Sequence, residues 1–292
     1  MDPMRPYGFF VEEERSATGE VVAVATVLLT NRECPWKCVM CDLWRNTLPV
    51  IVPIGAIPAQ IDLALSQLPP ARQIKLYNSG SFFDPRAIPV EDYPLIAERL
   101  RSFERVIVES HPALVGPATL RLRDLLTGKL EVAMGLETAH PEVLERLNKR
   151  MTLDDYSRAA EFLRVHGIDL RAFILVQPPF MEPDEALCWA ERSLDFAFDC
   201  GASICTLIPT RANNGAMETL TASGEFQLPD LDTVEAALDY GISLGRGRVF
   251  VDLWDLASHT ACTTCFKARL SRLHTMNLSQ ALLGRSSCTT CG

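Results

Sequence analysis

The stretch EVVAVATVLLT, residues 20–30, runs almost directly into Glu33-Cys34-Pro35-Trp36-Lys37-Cys38-Val39-Met40-Cys41-Asp42. The first segment is continuous, apolar and rich in β-branched residues, which is the signature of a strand buried on both faces of a parallel sheet. The second places three cysteines in C-x3-C-x2-C spacing just past the carboxyl end of that strand. In α/β folds that end is where ligands sit.

Working outward, comparable strand-like runs occur at 73–77, 105–109, 130–137, 169–177 and 202–209. Helical patterns fill the gaps at about 57–68, 90–103, 117–126, 141–147, 154–166 and 183–198. Pro141 and Pro183 suit a first helical turn, and Thr152 or Asp154 suits a cap. Six strands alternating with helices predict parallel βαβ units, an α/β fold. A last helix at about 231–244 ends near Gly245 and Gly247, and a short strand-like run, 248–254, follows. The expected division is residues 1–245 as the main domain and 246–292 as a small cysteine-rich C-terminal extension.

The composition is that of an ordinary globular chain: 292 residues, 48% hydrophobic and 22% charged. Its net charge of −9 argues against sequence-independent nucleic-acid binding by the whole surface. The stretch from Arg246 onward is locally basic, with Arg246, Arg248, Lys267, Arg269, Arg272 and Arg285 against Asp252 and Asp255. No apolar run approaches the ~18 residues that span a bilayer, and the start lacks an apolar signal core. The expectation is a soluble, cytoplasmic protein with no membrane partner.

Seven of the ten cysteines fall in two groups, 34/38/41 and 262/265/288/291. In a reducing compartment such grouping points to metal or catalysis rather than disulfides. Three thiolates on a tight loop match three irons of a 4Fe–4S cubane and leave the fourth iron for an exogenous ligand. A structural zinc wants a fourth ligand that is not evident nearby. A thioredoxin-like Cys38-x-x-Cys41 leaves Cys34 unexplained. A merely structural cysteine cluster is the remaining reading. The C-terminal group forms two C-x2-C knuckles separated by 22 residues, a strong metal-site pattern that fits zinc or an auxiliary iron–sulfur cluster. A zinc knuckle there would present Lys267, Arg269 and Arg272 to a nucleic acid or partner. Cys188, Cys200 and Cys205 read as small buried hydrophobes.

The three-cysteine loop resembles the defining motif of the radical S-adenosylmethionine (SAM) superfamily, with Met40 where that family most often has an aromatic residue. The resemblance implies a partial, six-stranded, TIM-like (β/α) barrel and a 4Fe–4S cluster on Cys34, Cys38 and Cys41. It implies that the amino and carboxylate groups of SAM chelate the open iron. A one-electron donor would drive reductive cleavage of SAM and abstraction of a substrate hydrogen. The stretches YNSGSFFD, VESHP, GLETAHPEVLERLNK, LVQPPF and LIPT narrow the resemblance to the branch holding the elongator catalytic subunit and the archaeosine synthase radical SAM subunit. The likeness to the latter runs over about residues 21–226.

Residues at the other strand ends follow from the same resemblance. Ser79 and Gly80 stand where the superfamily has a Gly-Gly-Glu-like segment for the SAM amino group. A carboxylate at the carboxyl end of a buried strand must be paired or ligand-bound: Glu137 is placed to accept from the ribose hydroxyls and Glu109 to face cofactor or substrate, or each forms a structural ion pair. Arg150, in Asn148-Lys149-Arg150, would pair with the SAM carboxylate or stand as a solvated charge at a helix end. Gln177 is a candidate partner of the adenosine, and Arg211 of an anion. The function so implied is a radical SAM enzyme that modifies a nucleoside in RNA, with tRNA or a small molecule as the substrate partner. The rival reading is a non-catalytic, zinc-bearing RNA- or protein-binding module.

Overall fold

The computed structural model describes residues 1–285 and 287–291. Its strands are β1 (Gly8–Arg15), β2 (Val21–Leu28), β3 (Gln73–Tyr77), β4 (Arg105–Ser110), β5 (Lys129–Glu137), β6 (Asp169–Val176), β7 (Ile204–Pro209) and β8 (Arg248–Val251). They form one sheet in sequence order, β1-β2-β3-β4-β5-β6-β7-β8, parallel from β2 to β8 with β1 antiparallel at the edge. The helices are α1 (Ala56–Leu65), α2 (Tyr93–Arg99), α3 (Pro117–Leu125), α4 (Pro141–Arg146), α5 (Leu153–Val165), α6 (Ala186–Asp199), α7 (Ala216–Ser223), α8 (Leu231–Ser243) and α9 (Thr263–Ser279). The fold is a partial, TIM-like (β/α) barrel: β2–β7 are the six strands expected from sequence, and β1 and β8 extend the sheet on either side. The run after Gly245 supplies β8, which pairs with β7 in that same sheet.

Alternation along the strands sorts the side chains. Ile74, Leu76, Val106, Val108, Leu130, Val132, Leu170 and Ala172 join the helix-facing core. Their neighbours Lys75, Arg105, Glu131 and Arg171 therefore point to the concave face. There they build a buried charge network at the amino-terminal end of the barrel. Arg171 reaches Glu14 at 2.5 Å and Glu131 at 2.7 Å. Arg105 contacts Glu131 at 3.1 Å and Asp169 at 2.5 Å, and Lys75 contacts Glu14 at 2.6 Å and Glu12 at 2.9 Å. The paired charges close the barrel floor, and the carboxyl ends of the strands form its mouth.

Helix α9 covers the free edge of β8 with side-chain amides. Asn277 accepts from the Val251 N–H and donates to the Val251 carbonyl, each at 2.9 Å. Gln280 does the same to Val249, at 2.7 and 2.9 Å. Two amides thus replace the ladder a ninth strand would offer, which protects an edge that would otherwise template aggregation. Because Asn277 meets the later β8 residue and Gln280 the earlier, α9 runs from the mouth end towards the floor. Helix α8 is bolted alongside through Arg269 to Asp232 and Glu235, and Arg272 to Asp239.

Arg269 and Arg272 are 7% and 6% exposed, so the expectation that they face a nucleic acid is corrected: burial requires them to be spent on α8's carboxylates. Cys188 likewise departs from expectation, being exposed, while Cys200 is half-buried and Cys205 buried. No helix among the described residues is long and apolar enough to cross a membrane.

Candidate active site

The loop bearing Cys34, Cys38 and Cys41 leaves β2 at the mouth, and all three thiols are free and partly buried. The loop is tethered from several directions. The Val39 N–H donates to the Leu147 carbonyl at 3.0 Å. The Asn148 amide donates to the Trp36 and Lys37 carbonyls at 3.2 and 3.0 Å. From the far side of the barrel, Asn214 donates to the Val39 and Cys41 carbonyls at 2.7 and 3.2 Å. Trp36 stacks on His111 with ring centroids 4.0 Å apart, and His111 in turn contacts the Lys149 carbonyl through Nε2. Met40 packs against Val143, Leu147, Leu175 and Met181.

Around this loop the strand ends present buried polar groups. Glu109 accepts from the Asn78 N–H at 2.5 Å and the Gly80 N–H at 3.4 Å. Burial pushes its carboxyl up to about 7 even though those N–H groups pull the other way. A side chain at Gly80 would put its Cβ 3.3 Å from the Cys34 Cβ, so any larger residue there would press on the cysteine loop. Ser79 is buried and its hydroxyl lies 3.0 Å from the Tyr7 hydroxyl. Glu137 is buried against Lys149, with Nζ 2.5 Å from Oε1. A Cβ at Gly135 would lie 2.2 Å from the Glu137 carboxylate and 2.5 Å from Lys149 Nζ, so a larger residue there would displace the pair. Gln177 is buried and donates to the Gln227 carbonyl at 3.0 Å.

Burial raises the thiols of Cys34, Cys38 and Cys41, the last two to about 12 and about 11, with Lys149 opposing the rise at Cys34 and Cys38. Burial works against the Lys149 ammonium, but Glu137 together with Cys38 and Cys34 outweighs it, and the Lys149 pKa is raised. The backbone is strained at the same place. Lys37 (φ 52°), Ser79 (54°), Glu137 (64°), Asn148 (57°), Arg150 (56°) and Gln177 (53°) all adopt left-handed conformations without being glycine. The β5–β6 register also shifts between Gly135 and Glu137. Strain of this kind, on the order of 1–3 kcal/mol per residue, concentrates at functional sites.

Of the residues picked from sequence, Cys34, Cys38, Cys41, Ser79, Gly80, Glu109, Glu137 and Gln177 gather at the mouth. Arg150 does not join them: it is exposed and lines an outer cleft with Pro112, Met151 and Asp155. The buried cation of the mouth is its neighbour Lys149. Arg211 is paired with Asp252 and with the Trp254 carbonyl. Tyr7, which precedes β1, escaped sequence reading because nothing marked residues 8–15 as a strand.

The second cysteine group is assembled by α9. Cys262 caps its start, Cys265 lies in its first turn, and Cys288 and Cys291 return to meet them. One ligand atom from each of the four lies within 4.8 Å of the others, so the group is able to bind a metal ion.

No protein-family model matches the chain. Among curated proteins it is similar to an uncharacterized protein of Methanocaldococcus jannaschii, 22% identical over 289 residues, 93% of this chain and 79% of that one. It is also similar to the archaeosine synthase subunit beta of Methanosarcina acetivorans, 25% identical over 216 residues, 70% of this chain and 62% of the relative. The subunit of the same name from Thermococcus kodakarensis is 30% identical over 128 residues, 41% of this chain and 39% of the relative. The chain thus covers less than two thirds of either archaeosine synthase subunit. Among solved structures, the archaeal Elp3 of Methanocaldococcus infernus superposes with a TM-score of 0.58 at 14% identity, over 87% of this chain and 63% of that one. Methylornithine synthase superposes at 0.54, also at 14% identity, over 75% and 63%. At these identities the structures speak for the fold. The chain shares the curled partial barrel of these two structures and carries its C-x3-C-x2-C loop just past the first parallel strand.

Proposed function

We propose that the chain is an enzyme that reductively cleaves SAM and uses the product to abstract a hydrogen, with a nucleoside in RNA as the substrate class. The observation that carries this reading is the convergence of three thiols with Glu109, Glu137 and Lys149 at one strained barrel mouth. The donor set fits a 4Fe–4S cluster, since three thiolates on one loop leave an iron for SAM. Gly80 fits it as well, since a Cβ there would crowd Cys34. When bound, the cluster would supply one-electron reductive cleavage of the SAM sulfonium.

The chain's own residues perform the rest. Cys34, Cys38 and Cys41 would hold the cluster as thiolates, their protons released to solvent, with metal–sulfur bonding offsetting the burial that raises their pKa values. Glu109 fixes the Asn78–Gly80 turn by engaging its N–H groups, which leaves the carbonyls of that turn free for an ammonium. Glu137 offers a carboxylate oxygen for vicinal hydroxyls, and Lys149 supplies its buried counter-charge. Asn148 and Asn214 hold the loop, and the charged floor keeps bulk water from entering behind the site.

The RNA nucleoside is supported by the names of two relatives. Of the three tail cations the rival binding-module reading would use, Arg269 and Arg272 are committed to α8 and only Lys267 is exposed. The test is anaerobic reconstitution with iron, sulfide, SAM and a reductant, with and without bulk tRNA. Formation of 5′-deoxyadenosine that rises with tRNA supports the reading, and its persistence in Cys38→Ala would sink it.

A further inference from the structure

The C-terminal cysteines permit two metal chemistries, and their spacing separates them. The Cys262 and Cys288 sulfurs are 3.8 Å apart and those of Cys265 and Cys291 are 3.6 Å apart, with all four inside 4.8 Å. A single tetrahedral ion with metal–sulfur bonds of about 2.3 Å sets its ligand sulfurs about 3.8 Å from one another. A cubane puts each thiolate on its own iron, with inorganic sulfides between, and so holds its ligands further apart. We propose that Cys262, Cys265, Cys288 and Cys291 form a closed tetrathiolate site for one divalent ion of the zinc class, and that this ion latches the chain's last residues to the start of α9.

The surroundings suit such an ion. Each knuckle contributes two sulfurs, and the Thr290 N–H points at the Cys288 sulfur at 3.4 Å. Cys262 and Cys265 sit at a helix start, where unpaired N–H groups and the helix dipole favour thiolate charge. Four protein ligands complete a tetrahedron and leave no open position, which is the pattern of a structural rather than a catalytic ion.

The site also occupies a defined place. Cys265 lies 12 residues before Asn277, which is level with Val251, the last residue of β8. At 1.5 Å per helical residue that puts the site ~18 Å beyond the strand end, on the mouth side of the barrel. Helix α9 is thus pinned at its far end by the β8 amides and at its near end by metal. Between them the return segment is held by Arg272, which donates to the Leu283 and Gly284 carbonyls at 2.8 and 3.2 Å.

The decisive material is the full-length Cys34→Ala/Cys38→Ala/Cys41→Ala variant, which lacks the loop ligands and so isolates the tail from the proposed catalytic cluster. Elemental analysis is expected to give about one zinc per chain after purification, and no sulfide-bound iron after anaerobic reconstitution. Cobalt(II) replacing zinc should show the intense visible d–d bands of tetrahedral thiolate ligation. Adding Cys288→Ser and Cys291→Ser should lower retained zinc to under about a tenth while the circular dichroism of the barrel is unchanged, because no described strand or helix lies beyond α9. Retention of iron and sulfide by the triple variant overturns the proposal in favour of an auxiliary cluster. A tail that binds neither metal on addition of zinc overturns it outright. Neither result depends on whether the mouth cleaves SAM.

Discussion

Lys149 Nζ lies 2.5 Å from Glu137 Oε1, and both side chains are buried where β5 opens into the barrel mouth. The pair is tuned by backbone as well as charge. Left-handed turns at Asn148 and Arg150 send Lys149 inward and its neighbour outward, and the shift after Gly135 aims Glu137 at it. Replacing Lys149 with Met strands a buried carboxylate, and we expect a loss of about 3–5 kcal/mol in urea denaturation. The Lys149→Met/Glu137→Gln double variant should recover most of that loss. Under the proposed function it should still bind SAM poorly in equilibrium dialysis, which separates the pair's structural role from its ligand role.

The loop tether makes a second prediction. Asn214 spans from the β7 side to the cysteine loop and also caps α7 by accepting from the Met217 N–H at 2.8 Å. Asn214→Ala removes donors from two loop carbonyls, at about 1–3 kcal/mol. Hydrogen exchange of residues 38–42 should accelerate more than that of any barrel strand. Uniform exchange across the loop and β2 would show that the loop is held elsewhere.

The barrel floor should be intolerant of single charge deletion. Glu131 is completely buried between Arg105 and Arg171. Glu131→Gln leaves both guanidinium groups short of a counter-charge, with an expected cost of about 3–5 kcal/mol. Thermal unfolding followed by circular dichroism will read this directly. By contrast, loss of the exposed Arg164–Glu161 pair should leave the unfolding midpoint almost unchanged, because solvent screens it.

A pH dependence follows from His111. Burial, helped by the nearby Lys149 charge, lowers its pKa from 6.5 to about 4. Between those values the unfolded chain takes up a proton that the folded chain refuses. Stability from this residue is therefore complete above pH 6.5 and is lost as pH falls towards 4, with a slope of up to about 1.4 kcal/mol per pH unit. His111→Gln should flatten that limb of the stability profile. An unchanged slope in the variant would refute the assignment.

The six parallel strands were legible because a strand covered on both faces is apolar at nearly every position, as in residues 20–30. β1 was not, because its sequence GFFVEEER carries Glu12 and Glu14, which read as solvent-facing. Their partners Lys75 and Arg171 lie 61–157 residues away, and no local pattern announces an ion pair formed across a barrel. Tyr7 was lost with that strand. The choice between Lys149 and Arg150 was also invisible, since two adjacent cations differ only in the φ angles that orient them. The two cysteine groups stood out most clearly, because residue type and spacing are both local in sequence; the structure gathers the four C-terminal sulfurs within 4.8 Å of one another.

The amides of Asn277 and Gln280 decide more than the tidiness of one strand. An incomplete barrel has two selvages, and here a helix hems one of them with side chains instead of backbone. A chain cut before residue 263 would keep every group of the mouth yet present a raw hem to its neighbours. Such molecules should be recovered stitched together in ribbons, with their thiol loops intact, rather than as unfolded monomers.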